Sequence, residues 1–140
     1  MPDKTAPAGV TGRPHRHDSA PLHVSGAAVY TDDIAAPAGC LHAYVLQSPH
    51  AHAKILRIDT TACHIAGVHA VMTAKDIPGV NDVAPVFAGD PVFAEGEVLY
   101  AGQSVLAVAA ESIDIARRAA HLAVVEYDVL PAILDVHEAL

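Results

Sequence analysis

Ten histidines in 140 residues are the first feature of this chain that could do chemistry. His15 and His17 form one H-x-H pair, and His50 and His52 form another. Alternate residues of a strand share a face, so such a pair can offer two imidazoles to one metal ion. The first pair lies in a Pro-, Gly- and charge-rich stretch with nothing to fix its geometry. The second follows Ser48–Pro49 at the mouth of an expected strand, and no third ligand stands at a metal-binding spacing. Cys63 and His64 are adjacent, so they point in different directions from a short helix. The reading taken is surface or half-buried histidines, with no metal site. Asp32–Asp33, and Glu95 with Glu97, are the carboxylate pairs that could divide acid and base work. Adjacent aspartates after an extended stretch more often cap turns through side-chain hydrogen bonds, and capping is the reading adopted for Asp32–Asp33. Gly102–Gln103–Ser104 lacks the further glycines and lysine of a phosphate loop, and Ser104 has no G-x-S-x-G surroundings. Cys63 has no positive neighbourhood readable from the sequence, which favours a packed, inert thiol. No catalytic, cofactor-binding or metal-binding residue is assigned within the chain.

The elements that must position these residues follow from hydrophobic period and turn chemistry. Residues 1–21 read as a flexible arm, with order beginning near Leu22 in a short extended stretch closed by Asp32 and Asp33. Strands are expected at Leu41–Gln47, Ala53–Asp59, Val68–Thr73, Val98–Tyr100, Val105–Ala110 and Val124–Val129. Thr60 and Thr61 can cap a short helix that stops at Gly67, and Thr73 with Asp76 resembles a capping pair for one helical turn. Asn81–Gly96 has no period and reads as a loop. The clearest helix begins after Ser112 as N-cap, with Ile115, Ala116, Ala119, Ala120, Leu122 and Ala123 on one side and Asp114, Arg117, Arg118 and His121 on the other. Interleaved strands and helices with few crossovers define a small α/β domain of the α+β type, a small mixed sheet with two helices, over residues 22–140.

Composition narrows the functional classes. Sixteen acids against eight Lys and Arg leave a net charge of −8, a poor match to nucleic acid or an anionic membrane surface. No run approaches the length of a membrane span, the N-terminus lacks a secretory signal, and Cys40 and Cys63 make no disulfide framework. A cytoplasmic protein is expected. Alanine contributes 28 residues and aromatics only 4%, so the core should be close-packed but poor in buried area.

Four collinear blocks carry a resemblance: His17–Ile34, Ser48–Asp59, Gly67–Asp82 and Glu97–Leu134. Gly26, Ala28, Tyr30, Asp32, Asp33 and Ile34 mark the first of them. Together they resemble the start of the large, molybdopterin-binding subunit of the xanthine dehydrogenase family, whose wider kin include aldehyde oxidases and carbon monoxide dehydrogenases. Coverage runs from about Arg13 to Leu140. Departures are small: Asp128 stands where Glu is usual, and Ser104 where Pro often follows the Gly-Gln pair. The resemblance implies an α/β-hammerhead domain, a piece of a longer subunit that serves as scaffold and is inactive alone. It implies that the full enzyme is a molybdenum-containing oxidoreductase of purine catabolism. That enzyme would use molybdenum-pterin, 2Fe-2S clusters, FAD and NAD to hydroxylate hypoxanthine and xanthine. The implied partners are downstream molybdopterin-binding domains and an FAD/iron–sulfur subunit, with self-association of the isolated piece also expected. Two other readings stand beside it: a related aldehyde or N-heterocycle hydroxylase, and a stand-alone, non-enzymatic binding module.

Overall fold

The computed structural model describes residues 16–84 and 86–140. His15 and most of the expected arm therefore lie outside the described residues. The backbone divides into two compact units, Met1–Pro37 and Ala38–Leu140.

In the first unit, Ala20–Ser25 form a short helix (α1), with Pro21 at its start and Gly26 at φ 72° closing it. The extended stretch expected from Leu22 is thus helical at its beginning. Proline is tolerated in a first turn because its missing N–H would have no partner there. A 3₁₀ turn follows at Thr31–Asp33. The Asp33 carboxylate accepts from the Tyr30 backbone N–H at 2.9 Å, the capping role expected of Asp32–Asp33. Tyr30 Oη lies 2.8 Å from His23 Nδ1 and ties the turn back to α1.

Among its described residues the second unit holds six strands: β1 His42–Gln47, β2 Ala53–Asp59, β3 Val68–Thr73, β4 Glu97–Val98, β5 Ser104–Ala110 and β6 Val124–Val129. Their positions agree closely with the expected strands, although β4 is only two residues long. They build two three-stranded sheets, ordered β1-β5-β3 and β4-β2-β6. Every pairing in both sheets is antiparallel. The α+β class with two helices is as expected, with the strands shared between two sheets. Register shifts in β2 and β3 leave Leu56 and His69 without a partner opposite, and both side chains face solvent.

The helix α2, Ile113–Ala120, packs on β1 and β5. Ser112 Oγ accepts from Ile115 N at 3.3 Å, as an N-cap should. Ala116, Ala119 and Ala120 are fully buried, so the alanine face meets the sheet. Leu122 departs from the expected face: the helix ends at Ala120, the chain turns, and Leu122 is 43% exposed. The helix expected between Thr60 and Gly67 is a single 3₁₀ turn, Thr61–Cys63. Gly67, at φ 85°, instead serves a tight turn closed by Val68 N donating to Ile65 O at 3.1 Å. That turn needs a positive φ at its third residue.

Two small cores meet at β5. Val105 joins Ala53, Ala94 and Val98 under the second sheet, with Tyr127, Ile55 and Val125 against them. Its neighbour Leu106 joins Val108, Ala119 and Ala120 under α2. Adjacent residues of a strand face opposite ways, so one strand feeds both cores.

Candidate functional site

The sequence candidates converge, in part, where β2, β4 and the end of β6 come together. The floor is a buried polar hub. Ser48 and Gln103 are each 3% exposed. Ser48 N donates to Gln103 O at 2.8 Å, and Gly102 N donates to Ser48 O at 2.8 Å. Gln103 Oε1 accepts from Leu99 N at 2.7 Å. These bonds tie the β1–β2 connection to the β4–β5 connection, with Gly102 at φ 92° allowing the turn. The Gly-Gln pair is therefore structural. Its side-chain amide replaces a backbone acceptor that the turn lacks.

His50 and His52 rise from this floor and separate. The strand begins only at Ala53, so the rule that puts alternate residues on one face does not govern them. His50 meets the Tyr127 ring edge-on, centroids 4.9 Å apart. Burial pushes the Tyr127 phenol above its usual pKa, and a hydrogen bond from Ser48 opposes this. His52 turns the other way. Its Nδ1 lies 2.8 Å from Pro131 O, and its Nε2 lies 2.6 Å from Glu97 Oε1. The His52 imidazole is held above its ordinary pKa, first by the Pro131 carbonyl and then by the Glu97 carboxylate. Glu97 is thus the partner of a histidine and forms no acid–base pair with Glu95. Both ring nitrogens of His52 thus face acceptors of the chain itself.

The remaining candidates are dispersed. Cys63 is fully buried, and burial, with the Asp59 charge, raises its thiol pKa. That is the inert state. His64 is exposed beside it. His17 Nδ1 is 3.0 Å from Ser19 Oγ, a local contact within its own turn. Among the described residues, no three of His, Cys, Asp and Glu come together as a metal would require.

Among the described residues, the second unit carries concave surfaces in two places of note. One, of about 610 Å³, runs between the sheets past Arg57, His64, Lys75 and Glu95. Its Arg57 guanidinium is already spent on Asp59 at 2.7 Å and Glu126 at 3.5 Å. Asp76 is held by the Thr73 N–H and hydroxyl, each at 2.8 Å. The other, about 520 Å³, is an apolar groove past His52, Leu99, Tyr100 and Pro131–Leu134. Arg57 and Asp76 are thus committed to neighbours within the chain, while among the described residues His64, Lys75 and Glu95 of the first surface have no ion-pair partner within 4 Å. No chemical step is assigned to these residues.

One signal eluded sequence reasoning. Asn81 exchanges two hydrogen bonds with the Phe93 backbone, at 2.8 and 3.1 Å, and closes the base of the loop between them. Asp82 organises its interior by accepting from Ala84 N at 2.8 Å and Gly89 N at 2.6 Å. The Asn-Asp pair is a turn former, and that was the only available hint.

Comparison with known proteins defines the class. Residues 25–131 match the family model "Aldehyde oxidase and xanthine dehydrogenase, a/b hammerhead domain". The chain belongs to this family and is its hammerhead domain. A xanthine dehydrogenase of Oryza sativa subsp. japonica is 42% identical over 130 residues, covering 92% of this chain and 10% of that protein. The xanthine dehydrogenase/oxidase of Mus musculus is 36% identical over 141 residues, covering all of this chain and again 10% of the relative. The crystal structure of the aldehyde oxidoreductase from Desulfovibrio desulfuricans ATCC 27774 superposes with a TM-score of 0.79 at 29% identity, covering 88% of this chain and 15% of that one. The chain thus spans about a tenth of the length of the curated relatives it matches. No helix among the described residues is long and apolar enough to cross a membrane.

Proposed function

We propose that this chain is the scaffold portion of a molybdenum-containing xanthine dehydrogenase, working with domains that lie outside it. The observation that carries this reading is the 42% identity to a protein named xanthine dehydrogenase across 92% of the chain. The complete enzyme hydroxylates hypoxanthine and xanthine at a molybdenum-pterin and passes electrons through 2Fe-2S clusters and FAD to NAD. The hammerhead domain, taken as residues 22–140, packs beside the molybdopterin-binding domains and contributes no catalytic or cofactor-binding residue. Residues 1–21 serve as its arm, with α1 straddling the division. The cytoplasm is the compartment such an enzyme would occupy.

The apolar groove supports the scaffold role, since Leu99, Ile133 and Leu134 are 62%, 66% and 80% exposed along it. Apolar patches of this kind mark surfaces that partners cover, and they promote self-association when left bare. The test is reconstitution. The purified chain is assayed for molybdenum, flavin absorbance and xanthine-dependent NAD reduction, alone and with the other domains of the enzyme. Turnover is expected only in the reconstituted form. Bound cofactor or purine oxidation by the 140 residues alone would overturn the reading. A second reading, a hydroxylase of aldehydes or N-heterocycles, is favoured by the structural likeness to an aldehyde oxidoreductase. A substrate panel on the reconstituted enzyme separates the two.

A further inference from the structure

His52 holds together three segments distant in sequence. Its backbone carbonyl accepts from Leu130 N at 3.0 Å. Its Nδ1 faces Pro131 O, and its Nε2 faces Glu97 Oε1. Both groups facing the ring are hydrogen-bond acceptors, a backbone carbonyl and a carboxylate. A neutral imidazole carries one N–H and can serve only one of them. The imidazolium carries two and serves both. The observed arrangement is therefore complete only when the ring is charged.

We propose that His52 is a proton-operated latch that fastens the segment after β6, residues 130–134, onto the β2–β4 edge of the second sheet. When the ring loses its proton, one of the two side-chain contacts is lost. The segment is then held by the Leu130 backbone bond and whichever contact survives. The consequence falls on Ile133 and Leu134, which line the apolar groove together with Leu99 and Tyr100. The latch thus governs how firmly one wall of that groove is held.

The charged groups around it are few. Glu97 comes from β4. Lys54 on β2 stands opposite both Glu97 and Asp128 of β6 in register. Tyr100 is the remaining titratable group along the groove. The direction follows from linkage. A histidine whose pKa is raised in the closed form contributes fully below its open-form value of about 6.5, and the contribution is lost as pH rises through the closed-form value. Each unit of separation is a tenfold change in the ratio of latched to unlatched forms.

The experiment is an NMR titration of the chain from pH 5 to 9, following the His52 ring together with the amide-exchange protection factor of Leu130, whose N–H donates to the His52 carbonyl, and the backbone order parameters of Ala132–Leu134. The expected result is a His52 midpoint above 6.5, with Leu130 protection and the order of residues 132–134 falling across that same midpoint. In Glu97→Gln the midpoint moves back towards 6.5. Protection of β5, followed in the same samples, stays constant and reports that the variant is folded. A His52 midpoint at or below 6.5 in the unaltered chain, or Leu130 protection and an order of residues 132–134 indifferent to its titration, overturns the proposal.

Discussion

At Gly67 the backbone φ is 85°, and a Cβ built there would lie 2.9 Å from Ile115 Cδ1. Two costs follow from replacing it with alanine. The left-handed backbone costs roughly 1–2 kcal/mol for any L side chain. The contact with a terminal methyl is cheaper, because the Ile115 side chain can turn away. Gly67→Ala should therefore lose about 1–2 kcal/mol in urea melts, and most of that loss should persist with Ile115→Val present. If shortening Ile115 restores full stability, the contact and not the backbone is responsible. The need for glycine at 67 could be read from the sequence, but as a helix stop. The tight turn before β3 that requires it depends on Val68 reaching back to Ile65. The His52–Glu97 contact was not legible at all, since 45 residues separate its members and the sequence pairs each with a near neighbour instead, His50 and Glu95. The capping by Asp33 was legible because donor and acceptor lie three residues apart.

Legibility at the level of elements follows the same division between local and distant causes. The limits of β2, β3 and β6 were readable because alternation and turn residues are written within each segment. Which strands pair was not. β5 sits between β1 and β3 only because contacts across more than thirty residues place it there. The helix α2 shows both cases: its cap and buried alanines were readable, whereas Leu122 was misplaced by extending the period past the helix end. Its energetics can be tested directly. Ser112→Ala should cost about 0.5–2 kcal/mol by removing the cap. Ala119→Leu or Ala120→Leu should cost about 1–3 kcal/mol, because both sites are fully buried against the sheet. Leu122→Ala, at a partly exposed position, should fall within about 0.5–1 kcal/mol of neutral. Denaturant melts of the four variants check the ordering, and a neutral Leu at 119 and 120 would contradict the packing of this face.

For the molecule as a whole, the acid limb of stability rests on carboxylates that accept backbone hydrogen bonds. The N–H of Thr61 lowers the Asp59 pKa, that of Thr73 lowers Asp76, and those of Ala84 and Gly89 lower Asp82, all from 3.8. A depressed folded value gives stability that is present above pH 3.8 and lost as pH falls through the lower folded pKa. The melting temperature of the unaltered chain should therefore exceed that of Asp76→Asn at pH 5, and the gap should narrow by pH 2. A constant gap would mean that the charge on Asp76 contributes nothing. The division of strands between two sheets has a further result for the core. β5 must supply both hydrophobic clusters, and neither is large: Leu106 and three valines are the bulkiest fully buried side chains beside Cys63. Heat-capacity change on unfolding tracks the apolar surface released to water, about 12–15 cal/mol/K per residue in ordinary domains. Alanine packed on alanine releases little. Scanning calorimetry of this chain should give a smaller increment per residue, and hence a flatter stability curve. Its tolerance of temperature would then be broad but shallow, with cooling weakening it little more than gentle warming does.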